Sequence, residues 1–181
     1  MKNHFKEVKA RILLHRRIAP EYFCLRLLCP EIARSAQPGQ FILLRVNELR
    51  DPFLRRPFGF SRILPPQGKK TRTEDEGALE ICYKIAGRGT SLMTQLREGQ
   101  RLDVLGPLGK GFWEIEGQKR AILVGGGIGV APLLPWAERL QGERRRKKKA
   151  PKSPEENPKV LVLIGGKSRD KILGMRELKK I

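Results

Sequence analysis

The segment that most constrains the fold is a cluster of glycines placed directly after an apolar stretch. Residues 121–124 are apolar, four of the residues 125–129 are glycine, and Pro132 follows. Because glycine has no Cβ, such a turn can adopt positive φ and present the amides of a following helix to an anion. The pattern predicts a strand, a phosphate-binding turn and a helix, although the Gly127-x-Gly129 spacing is not the common G-x-G-x-x-G fingerprint.

Length, hydropathy and cysteine content narrow the class of protein. The chain has 181 residues, which predicts one whole domain and part of a second. It has no run of about 18 apolar residues, so no membrane association is expected. Three cysteines cannot complete a disulfide framework, and an odd number favours a reducing cytoplasm.

The chain has a formal net charge of +19, and one segment is unusually rich in cations. Residues 143–158 contain seven of the cations and almost no apolar residue, which is typical of a solvated, disordered insertion. The alternative is a polybasic arm for RNA, phospholipid or an acidic protein. Nucleic acid is not favoured, because no recognition helix or aromatic stacking surface accompanies the charge.

Hydrophobic periodicity changes near residue 117. The first half alternates as short antiparallel strands do, with one short helix expected at 91–96, and this predicts a small barrel. The second half alternates strand and helix, which predicts a parallel α/β sheet too small to be complete. The expected strands are 8–14, 22–27, 41–46, 79–85, 121–124 and 160–164, and the later helices are 130–140 and 169–180. The predicted domains are therefore 1–117 and 118–181, the second with the basic insertion 143–158.

Three further segments suggest ligand binding. Residues 54–61 place arginine before a rigid proline, an aromatic ring and a serine, which could offer a phosphate fork beside a planar ligand. Residues 83–91 run from a strand into a glycine turn that begins a helix, a second candidate anion site. Residues 106–112 form a stiff glycine-rich loop. Taken singly, each could be a strand edge, a capped turn or a linker.

In this order the segments resemble the ferredoxin-reductase superfamily, whose members join an FAD-binding barrel to an NAD(P)-binding α/β domain. The nearest resemblance within it is to the electron-transfer subunits of dihydroorotate dehydrogenase. The resemblance implies a small antiparallel six-stranded FAD-binding barrel followed by a partial Rossmann-like NAD-binding domain. The family motifs Arg-Pro-x-Ser, Tyr-x-x-x-Gly-x-Gly-Thr, Gly-Pro-Leu-Gly-x-Gly-Phe and Gly-Gly-Gly-Ile-Gly-x-x-Pro-Leu resemble residues 56–61, 83–90, 106–112 and 125–133.

The resemblance also implies which residues hold the cofactors. FAD would be bound by Arg56 and the helix start at Gly89, and the pyrophosphate of NAD(H) would lie over the glycine turn. No catalytic acid, nucleophile or metal ligand is expected, because hydride transfer belongs to the cofactors. His4 and His15 are predicted to be exposed or packed side chains. The predicted cofactor-binding residues are Arg56, Pro57, Phe58, Ser61, Tyr83, Lys84, Gly89, Thr90, Gly125, Gly127 and Gly129.

The sequence departs from the family pattern in two places. Gly59 stands where a serine usually follows Arg-Pro-x, so a flavin-contacting hydroxyl would have to come from Ser61. The family's Cys-x4-Cys-x2-Cys…Cys segment for a 2Fe–2S cluster is not in this chain, which resembles a C-terminally truncated member. Cys24 and Cys29 have the x4 spacing, but residues five apart on a strand point to opposite faces, and we predict a structural role for both.

The predicted function is that of an FAD-dependent electron-transfer subunit passing electrons between NAD(H) and a dihydroorotate dehydrogenase catalytic subunit in pyrimidine biosynthesis. One alternative is the flavin subunit of a related NADH-dependent ferredoxin-NADP reductase or sulfide dehydrogenase. Another is a non-catalytic fragment whose basic arm binds RNA or protein. Cations at 167–169 suit the 2′-phosphate of NADP(H), whereas the resemblance favours NADH, and the choice stays open.

Overall fold

A computed structural model describes residues 5–47, 51–66, 77–113, 120–146 and 159–180. The predicted domain boundary at residue 117 lies outside these ranges. So does most of the predicted basic insertion 143–158, whose first four residues form the end of a helix. The predictions of a disordered segment or a binding arm at 147–158 therefore concern residues outside the described part of the chain.

The first half is a curled antiparallel sheet of seven strands, which are β1 (Lys6–Ala19), β2 (Tyr22–Leu28), β3 (Phe41–Leu44), β4 (Arg56–Gly59), β5 (Arg62–Leu64), β6 (Ala78–Lys84) and β7 (Arg101–Leu108). They lie in the order β4-β3-β7-β1-β2-β6-β5 across the sheet. The prediction of an antiparallel barrel is confirmed, with seven strands instead of six. The periodicity predicted no strand at β4, β5 or β7, and β7 ends inside the segment 106–112 that was predicted as a loop. Two short helices connect the strands, α1 (Pro30–Ala33) and α2 (Arg88–Met93), and α2 begins three residues before the helix predicted at 91–96.

The central pair β2 and β6 explains where the core lies. Leu25 faces Ile81 and Leu27 faces Leu79, and all four side chains are fully buried inside the curled sheet. Because strand side chains alternate, the intervening residues of both strands point to the outer face. The pairs on that outer face are Tyr22–Lys84, Cys24–Cys82, Arg26–Glu80 and Leu28–Ala78.

The second half is a small parallel α/β unit. Strand β8 (Arg120–Gly126) pairs in parallel with β9 (Lys159–Gly165), and a 3-10 turn (Gly127–Val130) leads from β8 into helix α3 (Leu133–Arg146). Leu123 of β8 and Trp136 and Ala137 of α3 form its buried centre. This unit confirms the predicted change from antiparallel to parallel α/β structure. Its last elements are a 3-10 turn (Arg169–Lys171) and α4 (Met175–Leu178).

The continuous helix predicted over 169–180 is interrupted in the structure. Gly174 has a φ of +77°, and a Cβ there would lie 2.7 Å from Val130 Cγ1. A left-handed residue packed against the glycine turn cannot continue a right-handed helix. The helical periodicity of the segment is real, but tertiary packing at Gly174 divides it.

One face of the two-stranded β8–β9 sheet is not covered by α3. Ile122 pairs with Leu161 and Val124 with Leu163, and these four side chains are between 49% and 70% exposed. Parallel strands are usually covered on both faces. This aliphatic face is therefore the most unusual surface of the described α/β unit.

None of the helices in the described ranges is both long and apolar enough to cross a membrane.

The loop after β7 is tied to the turn at Gly39, and this contact can be tested. Gly39 has a φ of +87°, and a Cβ there would lie 2.6 Å from the Phe112 backbone nitrogen. Gly99 has a similar φ of +85° but open space around it. We expect Gly99→Ala to lower the free energy of unfolding by the left-handed strain alone, about 1–2 kcal/mol. Gly39→Ala should lower it by about 1–3 kcal/mol more, because the neighbouring backbone must also move.

Denaturant unfolding of the two glycine variants beside the parent chain is the measurement. Equal losses would mean that Phe112 is not held against the turn, despite the 2.8 Å hydrogen bond from its N–H to the Pro38 carbonyl.

Candidate functional site

Arg56 begins β4 and lies across the first turn of α2. A Cβ at Gly89 would stand only 2.8 Å from Arg56 Nε, so glycine is what lets the side chain cross here. The guanidinium donates from Nη1 to the Leu54 carbonyl at 3.1 Å. The first amides of a helix have no partner within it. The structure thus brings together Arg56 and Gly89, two predicted site residues that are 33 positions apart. The backbone amides at the start of α2 lie beside them and favour an anion.

Thr90 shapes this turn with its side chain. Its hydroxyl accepts hydrogen bonds from the Ala86 and Gly87 amides at 2.9 and 3.2 Å, and donates to the Gly87 carbonyl at 3.0 Å. The hydroxyl is therefore occupied within the turn. A ligand at this place would meet the backbone N–H of Thr90 rather than its side chain.

Arg88 is a second cation at the same turn and was not among the predicted site residues. Its Nη1 lies 2.7 Å from Asp51 Oδ2, and both side chains are exposed. The pair joins α2 to the loop before β4. An exposed ion pair of this kind adds little to stability. The fold brings Arg88 to the same turn as Arg56. An arginine directly before Gly89 could have indicated this second cation from the sequence.

The remaining predicted residues of β4 lie between Arg56 and the α/β unit. Pro57 is exposed, and Phe58 is half-buried with its ring 6.0 Å from that of Tyr83. A Cβ on Gly59 would lie 3.5 Å from Pro132 Cβ, so β4 ends beside the glycine turn. At about 3.3 Å per residue, Arg56 and the turn are about 10 Å apart along one strand.

Ser61, Tyr83 and Lys84 have their side chains directed elsewhere. Ser61 is 4% exposed and Tyr83 is 2% exposed. Lys84 lies on the outer face, with Nζ 3.8 Å from Glu21 Oε2. The burial of Ser61 gives no support to the predicted replacement of a family serine. The ring of Tyr83 lies 6.0 Å from that of Phe58, another predicted site residue, but on the inside of the barrel.

Tyr83 instead belongs to an aromatic stack inside the barrel. Its hydroxyl is 2.9 Å from His15 Nε2, and His15 Nδ1 is 2.9 Å from the Leu96 carbonyl. A carbonyl only accepts, so Nδ1 carries the proton and Nε2 accepts from the tyrosine. Phe23 stacks on both rings at 5.5 Å. Burial raises the pKa of Tyr83, so its hydroxyl stays protonated. His15 is packed, as the sequence predicted.

The three predicted site glycines of the glycine turn have different surroundings. Gly125 is a packing glycine, because a Cβ there would lie 2.8 Å from Leu133 Cδ1. Gly127 has a φ of +52°, which favours glycine, and faces the Tyr22 hydroxyl. Gly129 is exposed, and a Cβ there would have no neighbour within 4 Å. Of the three predicted residues, Gly129 leaves open the space that a ligand would occupy.

The barrel and the α/β unit meet around this turn. A Cβ on Gly127 would lie 3.6 Å from Tyr22 Oη, and the rings of Phe112 and Trp136 are 5.7 Å apart. These contacts, with that between Gly59 and Pro132, place the glycine turn over the outer face of β2 and at the end of β4. Arg56 and the turn therefore bound one continuous surface across both halves.

The three cysteines are not arranged as a cluster-binding set. Cys24 and Cys82 are direct cross-strand partners on the outer face, whereas Cys29 is buried in the barrel core with its thiol 3.6 Å from the Leu27 carbonyl. A 2Fe–2S cluster needs four ligands, and these residues do not fit one. The hydrogen bond between the paired thiols raises the pKa of Cys24 and lowers that of Cys82. Burial raises the pKa of Cys29 to about 12.

An apolar cavity of about 330 Å³ lies apart from this surface, between α3, β9 and α4. Its lining includes Ala137, Val160, Val162 and Leu178, which are also the residues around the small core of the α/β unit. None of the predicted cofactor-binding residues lines it. It therefore belongs to the α/β unit and not to the candidate site.

Curated relatives share the sequence over much of the chain. The electron transfer subunit of dihydroorotate dehydrogenase B (NAD(+)) from Desulforamulus reducens is 36% identical over 136 residues, which is 75% of this chain and 48% of the relative. That from Geobacillus thermodenitrificans is 41% identical over 131 residues, 71% of this chain and 48% of the relative. The subunit from Fusobacterium nucleatum is 30% identical over 165 residues, which is 90% of this chain and 55% of the relative. The chain spans about half the length of the curated relatives it matches.

Solved structures show the same fold. An NADH-dependent reduced ferredoxin-NADP oxidoreductase superposes with a TM-score of 0.72 and 27% identity, over 96% of this chain and 54% of its own. Phthalate dioxygenase reductase superposes with a TM-score of 0.68 and 18% identity, over 96% of this chain and 48% of its own. The second comparison supports the fold alone. No protein-family model matches the sequence.

Sequence and structure therefore agree. Over the stretch that it shares with its relatives, the chain belongs to the family of dihydroorotate dehydrogenase B electron transfer subunits, within the ferredoxin-reductase fold.

Proposed function

We propose that the chain is the FAD-binding front part of an electron-transfer subunit, which passes electrons between NAD(H) and a dihydroorotate dehydrogenase catalytic subunit in pyrimidine biosynthesis. The observation that carries the proposal is the crossing of Arg56 over Gly89 at the start of α2, about 10 Å along β4 from the glycine turn. The relatives are named as electron transfer subunits of dihydroorotate dehydrogenase B, which supports the choice of partner.

The residues present fit the two groups that the proposal requires. Arg56 and the α2 amides suit the pyrophosphate of FAD, because a guanidinium and helix-start amides both donate to phosphate oxygens. The open space at Gly129 suits a second pyrophosphate, that of the nicotinamide nucleotide. When bound, these cofactors supply hydride transfer. Gly125, whose packing holds the turn against α3, would act indirectly.

The protein's own contribution is placement. Contact between Gly59 and Pro132 fixes the end of β4 against the α/β unit, so a ligand held at Arg56 and one held at the turn meet in one orientation. Pro57 and Phe58 supply the apolar strand between them. Tyr83, fixed by His15, supports this strand from inside the barrel, with its ring 6.0 Å from that of Phe58. The proposed domains are 1–117 for FAD and 118–181 for the nucleotide.

The choice of nucleotide and the compartment are part of the proposal. The relatives are named as NAD(+)-dependent, which favours NADH. Lys167, Ser168 and Arg169 are exposed directly after β9, where a 2′-phosphate could be bound, so NADPH is the second candidate. The three cysteines form no disulfide in the structure, which favours the cytoplasm.

A second function is supported by one comparison. The NADH-dependent reduced ferredoxin-NADP oxidoreductase is 27% identical, so the chain could be the corresponding flavin subunit of a related enzyme. Both functions use the same site and differ in the partner. Dihydroorotate-dependent reduction of NAD⁺ after addition of a dihydroorotate dehydrogenase catalytic subunit separates them. The basic RNA- or protein-binding arm stays a prediction for residues 143–158, tested by salt-sensitive RNA retention before and after their deletion.

The visible absorption spectrum tests the proposed function directly. The purified chain, desalted after addition of FAD, should keep a flavin band, and anaerobic addition of NADH should bleach it. A band that persists with NADH would contradict the nicotinamide half of the proposal. A colourless chain that does not take up FAD would overturn the whole of it.

Arg56→Ala should weaken FAD binding about 10- to 150-fold, because it removes a charge-assisted phosphate contact of about 1.5–3 kcal/mol. Arg101→Ala is the matched control, since Arg101 is exposed at the start of β7, where it pairs with Arg11 of β1 and not with β4. Fluorescence titration of apoprotein with FAD gives both dissociation constants. Equal affinities for the two variants would remove Arg56 from the site.

Gly129→Val should prevent bleaching by NADH while leaving FAD affinity unchanged. The added side chain meets nothing in the protein within 4 Å at Cβ, so it fills ligand space rather than core. Gly142→Val on α3 is the control, because a Cβ there is equally free of contacts. If Gly129→Val reduces as fast as the control, the nucleotide does not lie over this turn.

A further inference from the structure

The outer face of β2–β6 contains a set of donors that the proposed electron transfer does not use. Cys24 and Cys82 stand directly opposite each other in the two strands, and Glu80 precedes Cys82 by two residues on the same face. One ligand atom of each residue lies within 4.8 Å of the other two. We propose that Cys24, Glu80 and Cys82 form a binding site for a thiophilic divalent cation of the zinc class.

The spacing suits tetrahedral coordination. With bonds of about 2.3 Å to sulfur and about 2.1 Å to oxygen, the donors around zinc stand about 3.5–3.8 Å apart. The observed limit of 4.8 Å allows this with small rotations about the side-chain bonds. The donors also come from both strands of one antiparallel pair, so the backbone holds them in place before any cation arrives.

The fourth coordination position has a buried hydroxyl beside it. Ser61 is 4% exposed, and its Oγ has no hydrogen-bond partner of good geometry. The hydroxyl is nevertheless close enough to the Cys82 thiol to lower its pKa. Its backbone N–H is bonded to the Glu80 carbonyl at 2.8 Å, which fixes it over the site. Buried hydroxyl groups are normally satisfied. Three protein donors leave one position for water, and Ser61 can accept or donate a hydrogen bond to that water.

The surrounding charges leave the carboxylate available. Arg26 donates to Glu80 from Nε and Nη2 at 3.0 and 2.8 Å, and both bonds end on Oε2. Oε1 is not used by either. Arg62 is the cross-strand neighbour of Glu80. From the α/β unit, the charge of Glu138 interacts with that of Glu80, and the charge of Glu177 interacts with Cys82. Once the cation has displaced the protons of both thiols, the two sulfurs and the carboxylate supply three negative charges. Arg26 and Arg62 offset two of these charges, which leaves the donor set negative toward a divalent cation.

The position gives the cation a structural role. Tyr22 is on the same face, two residues before Cys24, and its hydroxyl faces Gly127. A cation at the cluster would therefore fasten β2 to β6 directly beneath the junction with the α/β unit. Cys24 is 2% exposed and Cys82 is only partly buried, so entry is from the Cys82 side.

Metal titration of the reduced chain tests this site. We expect one Zn²⁺ per chain, and with Co²⁺ a sulfur-to-cobalt charge-transfer band that Zn²⁺ removes. Cys82→Ser and Cys24→Ser should each weaken Zn²⁺ binding more than about 100-fold. This exceeds the loss of about 10- to 100-fold that is typical when a residue supporting a metal ligand is removed. Ser61→Ala should weaken it about 10-fold. Cys29→Ser is the control, because Cys29 lies in the barrel core outside the cluster.

Thiol protection in the parent chain gives a result that does not depend on how the variants fold. Zn²⁺ should slow alkylation of Cys24 and Cys82 and leave that of Cys29 unchanged, as read by mass spectrometry of the labelled peptides. The proposal is overturned if the parent chain binds no more Zn²⁺ than the Cys24→Ser/Cys82→Ser double variant, if Co²⁺ gives no sulfur band, or if Cys29→Ser loses the metal equally.

Discussion

The pairing of β2 with β6 determines where both halves of the molecule lie. Its inner face supplies Leu25, Leu27, Leu79 and Ile81 to the barrel core, and its outer face supports the α/β unit through Tyr22. Because side chains alternate strictly along a strand, a slip by one residue would exchange these faces and expose four fully buried side chains. The register is therefore fixed from both sides at once.

The candidate site depends on that register indirectly, through contacts between the two halves. The Tyr22 hydroxyl faces Gly127, and Gly59 lies beside Pro132 at the end of β4. Arg56 is three residues away on the same short strand. Neither half contains the site alone: the barrel holds the arginine and the α2 turn, and the α/β unit contributes the glycines. This division agrees with the fold of the solved reductases that the chain resembles.

Local patterns in the sequence predicted the elements well and the side-chain directions poorly. Alternating hydrophobicity located β1, β2 and β6, and glycine clusters located both turns, because each depends on neighbouring residues only. It did not locate β7, which pairs with the distant strands β1 and β3. Tyr83 and Ser61 were assigned to the site from a motif, yet the structure buries both, Tyr83 inside the barrel and Ser61 in the bend between β4 and β5. The break at Gly174 depends on Val130, 44 residues earlier. The Cys24–Cys82 pair depends on strand order, which no spacing within the sequence shows.

The bare face of β8–β9 has a consequence for how copies of this chain behave together. Ile122, Val124, Leu161 and Leu163 attract one another between molecules by the hydrophobic effect, whereas a net charge of +19 drives the molecules apart. The attraction acts at contact and is insensitive to moderate salt. The repulsion acts over the Debye length, which shortens from about 30 Å at 0.01 M salt to about 3 Å at 1 M. Colloidal stability of the chain is therefore set by ionic strength, with dilute buffer keeping it dispersed and concentrated salt driving association.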